Sequence, residues 1–140
     1  MASQKVVRKI ISSSLAPKPV GPYNQAVLVN RTVYLSGVLG VDVKTQKLVQ
    51  GGAVSEARQA LSNMGHILKE AGSNYDKVVK TTIFLQNIDD FTSVNEVYKE
   101  FFKENYPARS TYQVGKLPMG AQVEIEAIAI TGEVETISML

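Results

Sequence analysis

Two glutamates, Glu124 and Glu126, alternate with apolar residues in the segment VEIEAIAI. The alternation predicts a strand over residues 122–130 in which one face is wholly apolar and the other carries both carboxylates together with Ile128 and Ile130. A solvated face rarely carries two isoleucines, and a core face rarely carries two charges without partners. We therefore expect these carboxylates either to pair with a cation or to serve a site.

Arg109 opens a second predicted strand, residues 109–114, which the connection GKLPMG separates from the strand of the glutamates. A planar guanidinium binds a carboxylate through two parallel hydrogen bonds, so Arg109 is a candidate clamp for an anionic ligand. The alternative is a structural ion pair between Arg109 and a glutamate that joins the two strands. The residue pattern supports both interpretations.

Three further residues are candidates because of where they fall in the chain. Tyr23 follows the Gly21-Pro22 corner, where its ring could line a pocket and its hydroxyl could reach a ligand, or where it could cap the edge of a core. Gly37 permits a close approach to the main chain, although GVLG lacks the spacing of a dinucleotide fingerprint. Asn95 lies at the border of a predicted apolar helix face, where its amide could point into a cleft or into solvent.

The composition excludes several kinds of site. At 140 residues the chain is predicted to form one domain, residues 1–140, with a substantial core. It contains no cysteine and one histidine, which excludes disulfides and thiolate catalysis and argues against zinc, so no metal is expected. The net charge of +2 does not indicate an anionic membrane or RNA as a partner. No apolar run approaches the roughly 20 residues of a membrane span.

Hydrophobic periodicity predicts two helices. Apolar residues three and four apart indicate a helix over residues 54–71 that ends at Gly72. A second helix is predicted in FTSVNEVYKEFF, with Ser93 and Glu96 as a capping box at its start. Between the helices, VVKTTIFL is rich in β-branched residues and is predicted to be an interior strand.

The order of the elements predicts an α+β fold. VVRKII is expected to be a first strand, and a hairpin with its turn at Asn30-Arg31 follows. A mixed sheet with both helices packed on one face fits this order. Several strands are apolar on both sides, so we expect the uncovered face of the sheet to be buried in an oligomer.

The termini bear on where the protein acts. The first 19 residues carry four basic residues and no acidic one, which overlaps with the composition of a mitochondrial presequence, although VVRKII is better explained as a strand. Ser138-Met139-Leu140 resembles a peroxisomal address but lacks its basic residue. We expect a cytoplasmic protein, with a mitochondrial or peroxisomal fraction as the alternative.

Six segments together resemble one known family. GPYNQA, LSGVLG, VVKTTIFL, FTSVNEVYKEFF, YPARSTYQV and VEIEAIAI are similar to the RidA family, also called YjgF or L-PSP, and they span nearly the whole chain. The resemblance implies a chorismate-mutase-like α+β fold assembled as a homotrimer, with a site in each cleft between subunits. It also implies hydrolysis of 2-imino acids or their enamine tautomers, such as 2-iminobutyrate and 2-iminopropanoate, to 2-oxo acids and ammonia. No cofactor is expected, because an iminium carbon is already electrophilic.

The residues of the family's site have counterparts in this chain. The resemblance implies that Arg109 clamps the substrate carboxylate and that Glu124 holds and orients the attacking water. Glu126 shares the face of Glu124 and is either a partner of the site or a member of a structural ion pair. Four more residues would line the cleft or offer main-chain groups to it: Tyr23, Asn95, Gly37 and Thr111.

Two positions depart from the family's pattern. Many relatives carry cysteine where this chain has Thr111, and glutamine where it has Val38. If position 111 acts through its main chain, threonine costs little there; if the thiol matters, the rate or substrate range differs. Val38 removes an amide and makes the pocket more apolar at that point.

Two other functions are compatible with the resemblance. Some animal relatives are described as translation inhibitors that cleave single-stranded RNA, but a net charge of +2, with scattered basic residues, gives that function little support. The other is a non-catalytic trimer that binds 2-oxo acids. Turnover of an imino acid separates the enzyme from such a binding protein.

Overall fold

The structure is a computed structural model that describes residues 4–140. Its helices and strands follow one another as β1 (Arg8–Ile11), β2 (Ala26–Val29), β3 (Thr32–Leu39), β4 (Val41–Asp42), β5 (Lys47–Leu48), α1 (Gly52–Glu70), β6 (Val78–Leu85), α2 (Phe91–Phe101), β7 (Ala108–Gln113) and β8 (Val123–Ile130). Six strands form one sheet in the order β1-β2-β3-β8-β6-β7, and β4 and β5 form a separate two-stranded ribbon. The pair β6–β7 is parallel and the other pairs are antiparallel, so the predicted α+β fold with a mixed sheet is confirmed.

The centre of the sheet is β8, which lies between β3 and β6. Its alternate residues are buried as the sequence predicts, because one face meets the helices and the other does not. The buried residues of this strand are Val123, Ile125, Ala127 and Ala129. Since a central strand is fixed by hydrogen bonds on both sides, β8 is a rigid support for the glutamates on its other face.

Both helices pack on one face of the sheet, as predicted. The apolar stripe of α1, including Leu61, Met64 and Leu68, is fully buried. The helix stops at Gly72, whose φ of +82° suits glycine and whose neighbours bond back to the last turn. Helix α2 is tied to β6 by a hydrogen bond of 2.8 Å between the hydroxyls of Tyr98 and Thr81. The sheet and helices therefore enclose one apolar core.

The predicted capping box of the second helix is wrong. Helix α2 begins at Phe91, so Ser93 lies within its first turn, where its hydroxyl donates to the carbonyl of Asp90. A short 3-10 helix, Ile88–Asp90, leads directly into α2, and the side chain of Asn87 accepts a hydrogen bond from its main chain. The helical path therefore starts earlier than Ser93, and an Asx cap takes the place of the capping box.

The other face of the sheet, which we call the open face, has no helix over it within residues 4–140. Ile10, Val27, Tyr34 and Ile128 face one another in a row across four strands of this face. Ile10 is 55% exposed and Tyr34 is 48% exposed. An apolar row of this length exposed to water is unusual for a single chain and typical of an interface.

Buried polar side chains fix the segments at the ends of the strands. Gln25 donates to and accepts from the main chain of residues 13–17, which holds the segment before Tyr23 against the hairpin. Asn63 of α1 donates to the carbonyls of Leu39 and Val41 and so positions the end of β3. These bonds give the loops around the strand ends a defined path despite their lack of regular structure.

Candidate functional site

Arg109 lies on the helix-covered face of the edge strand β7. It faces Thr81 across the β6–β7 pair, and Thr81 is buried beneath α2. The central carbon of its guanidinium lies 4.9 Å from the centre of the Tyr98 ring and 5.5 Å from that of Phe91. Within residues 4–140 the side chain forms no ion pair with a carboxylate. Its charge and donors are therefore available to an anionic ligand.

An open cleft of about 340 Å³ lies beside Arg109. Asn95 and Tyr98 of α2 form one wall, and Tyr106 and Pro107 of the segment before β7 form another. The structure thus brings Asn95 and Arg109 together, as the sequence analysis expects. A cleft with a free guanidinium and an amide on its walls can bind a small carboxylate.

Thr111 follows Arg109 by two residues on β7, and both side chains point to the same face of the strand. The hydroxyl oxygen of Thr111 is buried, and no hydrogen-bond partner for it lies within residues 4–140. An enclosed hydroxyl does not reach the cleft, so the side chain contributes packing. A main-chain contact, the role that the resemblance implies for this position, needs no particular side chain.

Glu124 lies on the open face, opposite Phe84 of β6. On its other side β3 contains a bulge between Leu35 and Val38, and Gly37 of this bulge approaches the carboxylate. A Cβ atom added to Gly37 would lie 2.6 Å from Oε1 of Glu124, so any other side chain there would displace the carboxylate from this position. Glycine at this position therefore makes room for the carboxylate, in addition to freeing the main chain.

Burial raises the pKa of the Glu124 carboxyl above that of an ordinary glutamate, and the negative charge of Glu126 raises it further. Glu124 is half-buried, whereas Glu126 is exposed. The sequence places the two on one face, and the structure confirms that placement. A carboxyl group with a raised pKa gains and loses a proton more readily near neutral pH, which suits proton transfer.

Tyr23 and Gly37 line a second, smaller cavity of about 70 Å³. Tyr23 is 47% exposed, and its hydroxyl oxygen accepts a hydrogen bond of 3.3 Å from the main-chain N–H of Val20. Val38 also lines this cavity and is buried, which agrees with the apolar character expected at that position. Gly37 lines this cavity with Tyr23 and also approaches Glu124, so we treat the three residues as a second group of candidate site residues.

Arg109 and Glu124 lie on opposite faces of the sheet. On β6, Thr81 is the partner of Arg109 and Phe84 is the partner of Glu124, and paired residues share a face of the sheet. Since Thr81 and Phe84 are three residues apart on one strand, their side chains point to opposite faces. Strand β6 also separates β7 from β8. The structural ion pair between Arg109 and a glutamate is therefore wrong, because the two strands it would join are not neighbours.

Comparison with known proteins identifies the family. The model of the family Endoribonuclease L-PSP matches residues 13–131. The 2-iminobutanoate/2-iminopropanoate deaminase of Homo sapiens is 54% identical over 134 residues, covering 96% of this chain and 98% of the human protein. This chain belongs to the RidA (YjgF/L-PSP) family. The resemblance found in its motifs is thus confirmed.

Further members of the RidA family agree in sequence and in fold. RutC family protein UK114 of Drosophila melanogaster is 58% identical over 131 residues, covering 94% of this chain and 95% of the fly protein. The crystal structure of E. coli TdcF with bound serine superposes with a TM-score of 0.84 at 38% identity, covering 89% of this chain and 99% of TdcF. The six-stranded sheet and two helices described above are therefore the fold of the RidA family.

Phe91 and Tyr98 were not expected beside Arg109 from the sequence. The two aromatics are seven residues apart, so they lie on one side of α2 two turns apart, where Tyr98 belongs to the apolar face of the helix. The spacing shows that the rings share a side of the helix. It does not show that a cation from β7 lies against them, which depends on the parallel pairing of β6 and β7.

The described part of the chain has neither a metal-binding cluster nor a membrane-spanning helix. Residues 4–140 contain no group of three or more histidine, cysteine, aspartate or glutamate side chains placed to hold a metal ion. No helix in this range combines the length and the apolar character that crossing a bilayer requires. The candidate site residues fall into two groups: Arg109, Asn95 and Thr111 belong to β7 and α2, whereas Glu124, Gly37 and Tyr23 lie around the bulge of β3.

Proposed function

We propose that this protein is a deaminase that hydrolyses reactive 2-imino acids, such as 2-iminobutyrate and 2-iminopropanoate, to 2-oxo acids and ammonia. The observation that carries the proposal is the guanidinium of Arg109, which has no carboxylate partner within residues 4–140 and lines a cleft large enough for a small acid. Hydrolysis also requires a group that accepts a proton from water, and Glu124, whose pKa is raised, is such a group. Relatives that share 54% of their residues with this chain carry the name of this activity.

The site is proposed to form between two subunits of a homotrimer with a chorismate-mutase-like fold. Arg109 and Glu124 point to opposite faces of the sheet, so one substrate can contact both only if they come from different chains. The open face, which carries Glu124 and an apolar row, is the surface expected to meet the cleft of a neighbouring copy. In this arrangement Arg109, Asn95 and Thr111 come from one chain, and Glu124, Gly37 and Tyr23 from the next.

The proposed reaction needs only binding, positioning and proton transfer. Arg109 holds the substrate carboxylate, which places the iminium carbon beside Glu124 of the neighbouring chain. Glu124 accepts a proton from a water molecule while the oxygen of that water bonds to the iminium carbon, which gives a tetrahedral amino alcohol. Glu124 then returns the proton to the nitrogen. The C–N bond breaks as the C=O bond forms, and ammonia leaves with the hydroxyl proton as ammonium, so the carboxylate is regenerated.

The test is hydrolysis of 2-iminobutyrate generated in solution by an amino-acid oxidase. We expect the purified protein to accelerate release of 2-oxobutyrate well beyond spontaneous hydrolysis, and Arg109→Lys to abolish most of the gain. A protein that binds 2-oxobutyrate through Arg109 without accelerating hydrolysis would be the non-catalytic trimer. Cleavage of single-stranded RNA stays a prediction, and steep loss of RNA binding with added salt would indicate contacts to phosphates.

The proposed assembly gives a prediction for the mass in solution. With a protomer of 15.3 kDa, the chain is expected to sediment at about three times that mass at micromolar concentration, because the open face would be covered only in the oligomer. Sedimentation equilibrium measures this directly. A monomer that remains well behaved at that concentration would contradict both the trimer and the shared site.

The raised pKa of Glu124 gives a prediction for the pH dependence. The carboxylate is the form that accepts a proton from water, so kcat should fall as pH drops through the raised pKa of Glu124. In Glu126→Gln the neighbouring negative charge is absent, so the pKa of Glu124 falls and the acidic limb of the profile moves to lower pH. A pH–rate profile of both proteins measures the shift. An acidic limb that is unchanged or moves upward would remove Glu124 as the titrating group.

A further inference from the structure

Two aromatic rings lie beside the guanidinium of Arg109, and no carboxylate of the described residues 4–140 pairs with it. Its guanidinium carbon is 4.9 Å from the centre of the Tyr98 ring and 5.5 Å from that of Phe91. Both distances are within the range at which a cation is attracted to the face of a ring. We propose that Phe91 and Tyr98 are positioning residues that hold Arg109 ready for its anionic ligand. The inference rests on the proposed function, since it takes Arg109 as the clamp.

Aromatic rings can hold a guanidinium without using its hydrogen-bond donors. The donors of arginine lie in the plane of the group, whereas the attraction to a ring acts on its face. A supporting carboxylate would instead occupy some donors and cancel much of the charge. With rings as the support, the planar fork of Arg109 stays free to bind a substrate carboxylate at two points.

Tyr98 is itself fixed on several sides. It is 5% exposed, its hydroxyl bonds to that of Thr81 at 2.8 Å, and its ring stacks on Phe102 with centres 4.4 Å apart. Thr81 is also the residue that faces Arg109 across the β6–β7 pair. The clamp, its ring and its neighbouring strand therefore form a closed set of contacts between β6, β7 and α2. This set limits the positions that the guanidinium can take before a ligand arrives.

Phe91 is the better position for a test, because it is 39% exposed and its replacement removes little of the core. We expect Phe91→Leu to raise KM for 2-iminobutyrate and the Kd of 2-oxobutyrate by about threefold to tenfold, since a cation–π contact of this kind is lost. The kcat should stay within about twofold of the wild type. Phe91→Tyr keeps an aromatic ring and should restore both constants.

Tyr98 is tested by separating its ring from its hydroxyl. Tyr98→Phe loses the bond to Thr81 but keeps the ring and its stacking on Phe102, so Kd should stay within about twofold, whereas Tyr98→Leu should weaken binding as Phe91→Leu does. Ile88→Ala is the matched control, because Ile88 is 44% exposed near the start of α2 and does not line the cleft. Melting temperatures show whether each variant is folded in the assay. If Tyr98→Leu is unfolded, the comparison of Phe91→Leu with Phe91→Tyr decides the outcome.

The outcomes separate this inference from the proposed function. If the wild type turns over 2-iminobutyrate and Phe91→Leu binds 2-oxobutyrate as tightly as Phe91→Tyr, the aromatic support is refuted while the deaminase stands. If the wild type binds 2-oxobutyrate without turnover and only the leucine variants weaken binding, the reaction is refuted and the aromatic support stands. If Arg109→Lys binds 2-oxobutyrate as tightly as the wild type does, both the aromatic support and the proposed role of Arg109 in the deaminase are overturned.

Discussion

Glu124→Gln is expected to lower kcat for 2-iminobutyrate hydrolysis by about two to four orders of magnitude, the usual contribution of a general base. Glutamine keeps the shape of the side chain beside Gly37 but does not accept a proton from water. The carboxylate of the substrate is held elsewhere, by Arg109, so the Kd of 2-oxobutyrate should change little. Steady-state kinetics and titration with 2-oxobutyrate measure the two effects separately.

Glu126→Gln is the matched control for Glu124→Gln, because it makes the same change two residues along the same strand face. Glu126 is exposed and faces Thr82 rather than Gly37, so its plateau kcat is expected to stay within a few-fold of the wild type. Melting temperatures report any effect on the fold. If Glu126→Gln loses activity while Glu124→Gln keeps it, with folding and binding unchanged, the water is oriented by the other carboxylate.

Arg109→Lys is expected to lower kcat/KM by about tenfold to a hundredfold, since the loss of one charge-assisted hydrogen bond costs about 1.5–3 kcal/mol. Lysine keeps the positive charge but not the planar fork that binds a carboxylate at two points. It also loses the stacked fit between Phe91 and Tyr98. The loss should be seen mainly in KM and in the Kd of 2-oxobutyrate.

Arg58→Lys is the matched control for Arg109→Lys. Arg58 of α1 makes two hydrogen bonds to Glu100 of α2, and both side chains are exposed and do not line the cleft. This variant tests the loss of an arginine fork outside the site, and its kcat/KM should match the wild type. Sedimentation of both variants shows whether the assembly is intact. Near wild-type kcat/KM in Arg109→Lys would remove Arg109 from the role of clamp.

The regular elements could be predicted because local patterns determine them. The stripe of α1 is long enough to indicate a helix without ambiguity, and VVKTTIFL coincides with β6 from end to end. The hairpin at Asn30-Arg31 was found because a short turn links two apolar runs, and Asn30 adopts the positive φ that such turns favour. In each of these cases the residues that decide the structure are close together in the chain.

The structural features that the sequence did not reveal are very short strands and contacts between segments that are distant in the chain. The ribbon of β4 and β5 has two residues in each strand, joined by a turn that begins at Asp42, and strands of this length are too short for an alternation to be visible. The separation of Arg109 from Glu124 depends on the insertion of β6 between β7 and β8. Local sequence favours pairing of consecutive strands, so it does not reveal this insertion.

The candidate site residues were predicted from motifs, and the motifs do not show how these residues are arranged. Asn95, Arg109 and Glu124 were expected in one site, whereas the structure places the first two in one cleft and the third on the opposite face of the sheet. Among the residue patterns, the apolar character of both strand faces was the signal that predicted an oligomer, and a site shared between subunits was predicted only from the resemblance to the family.

The central position of β8 has a consequence for how the chain is made. Thr32 pairs with Ile130, so β3 is synthesised long before the strand that covers its edge. On the ribosome, β3 and β6 each wait with one edge unpaired, because β8 follows both of them in the chain. Unpaired strand edges are where intermolecular association begins. The nascent chain is therefore most vulnerable to aggregation just before β8 emerges, and a premature stop ahead of Val123 would leave two half-sheets that have no strand to join them.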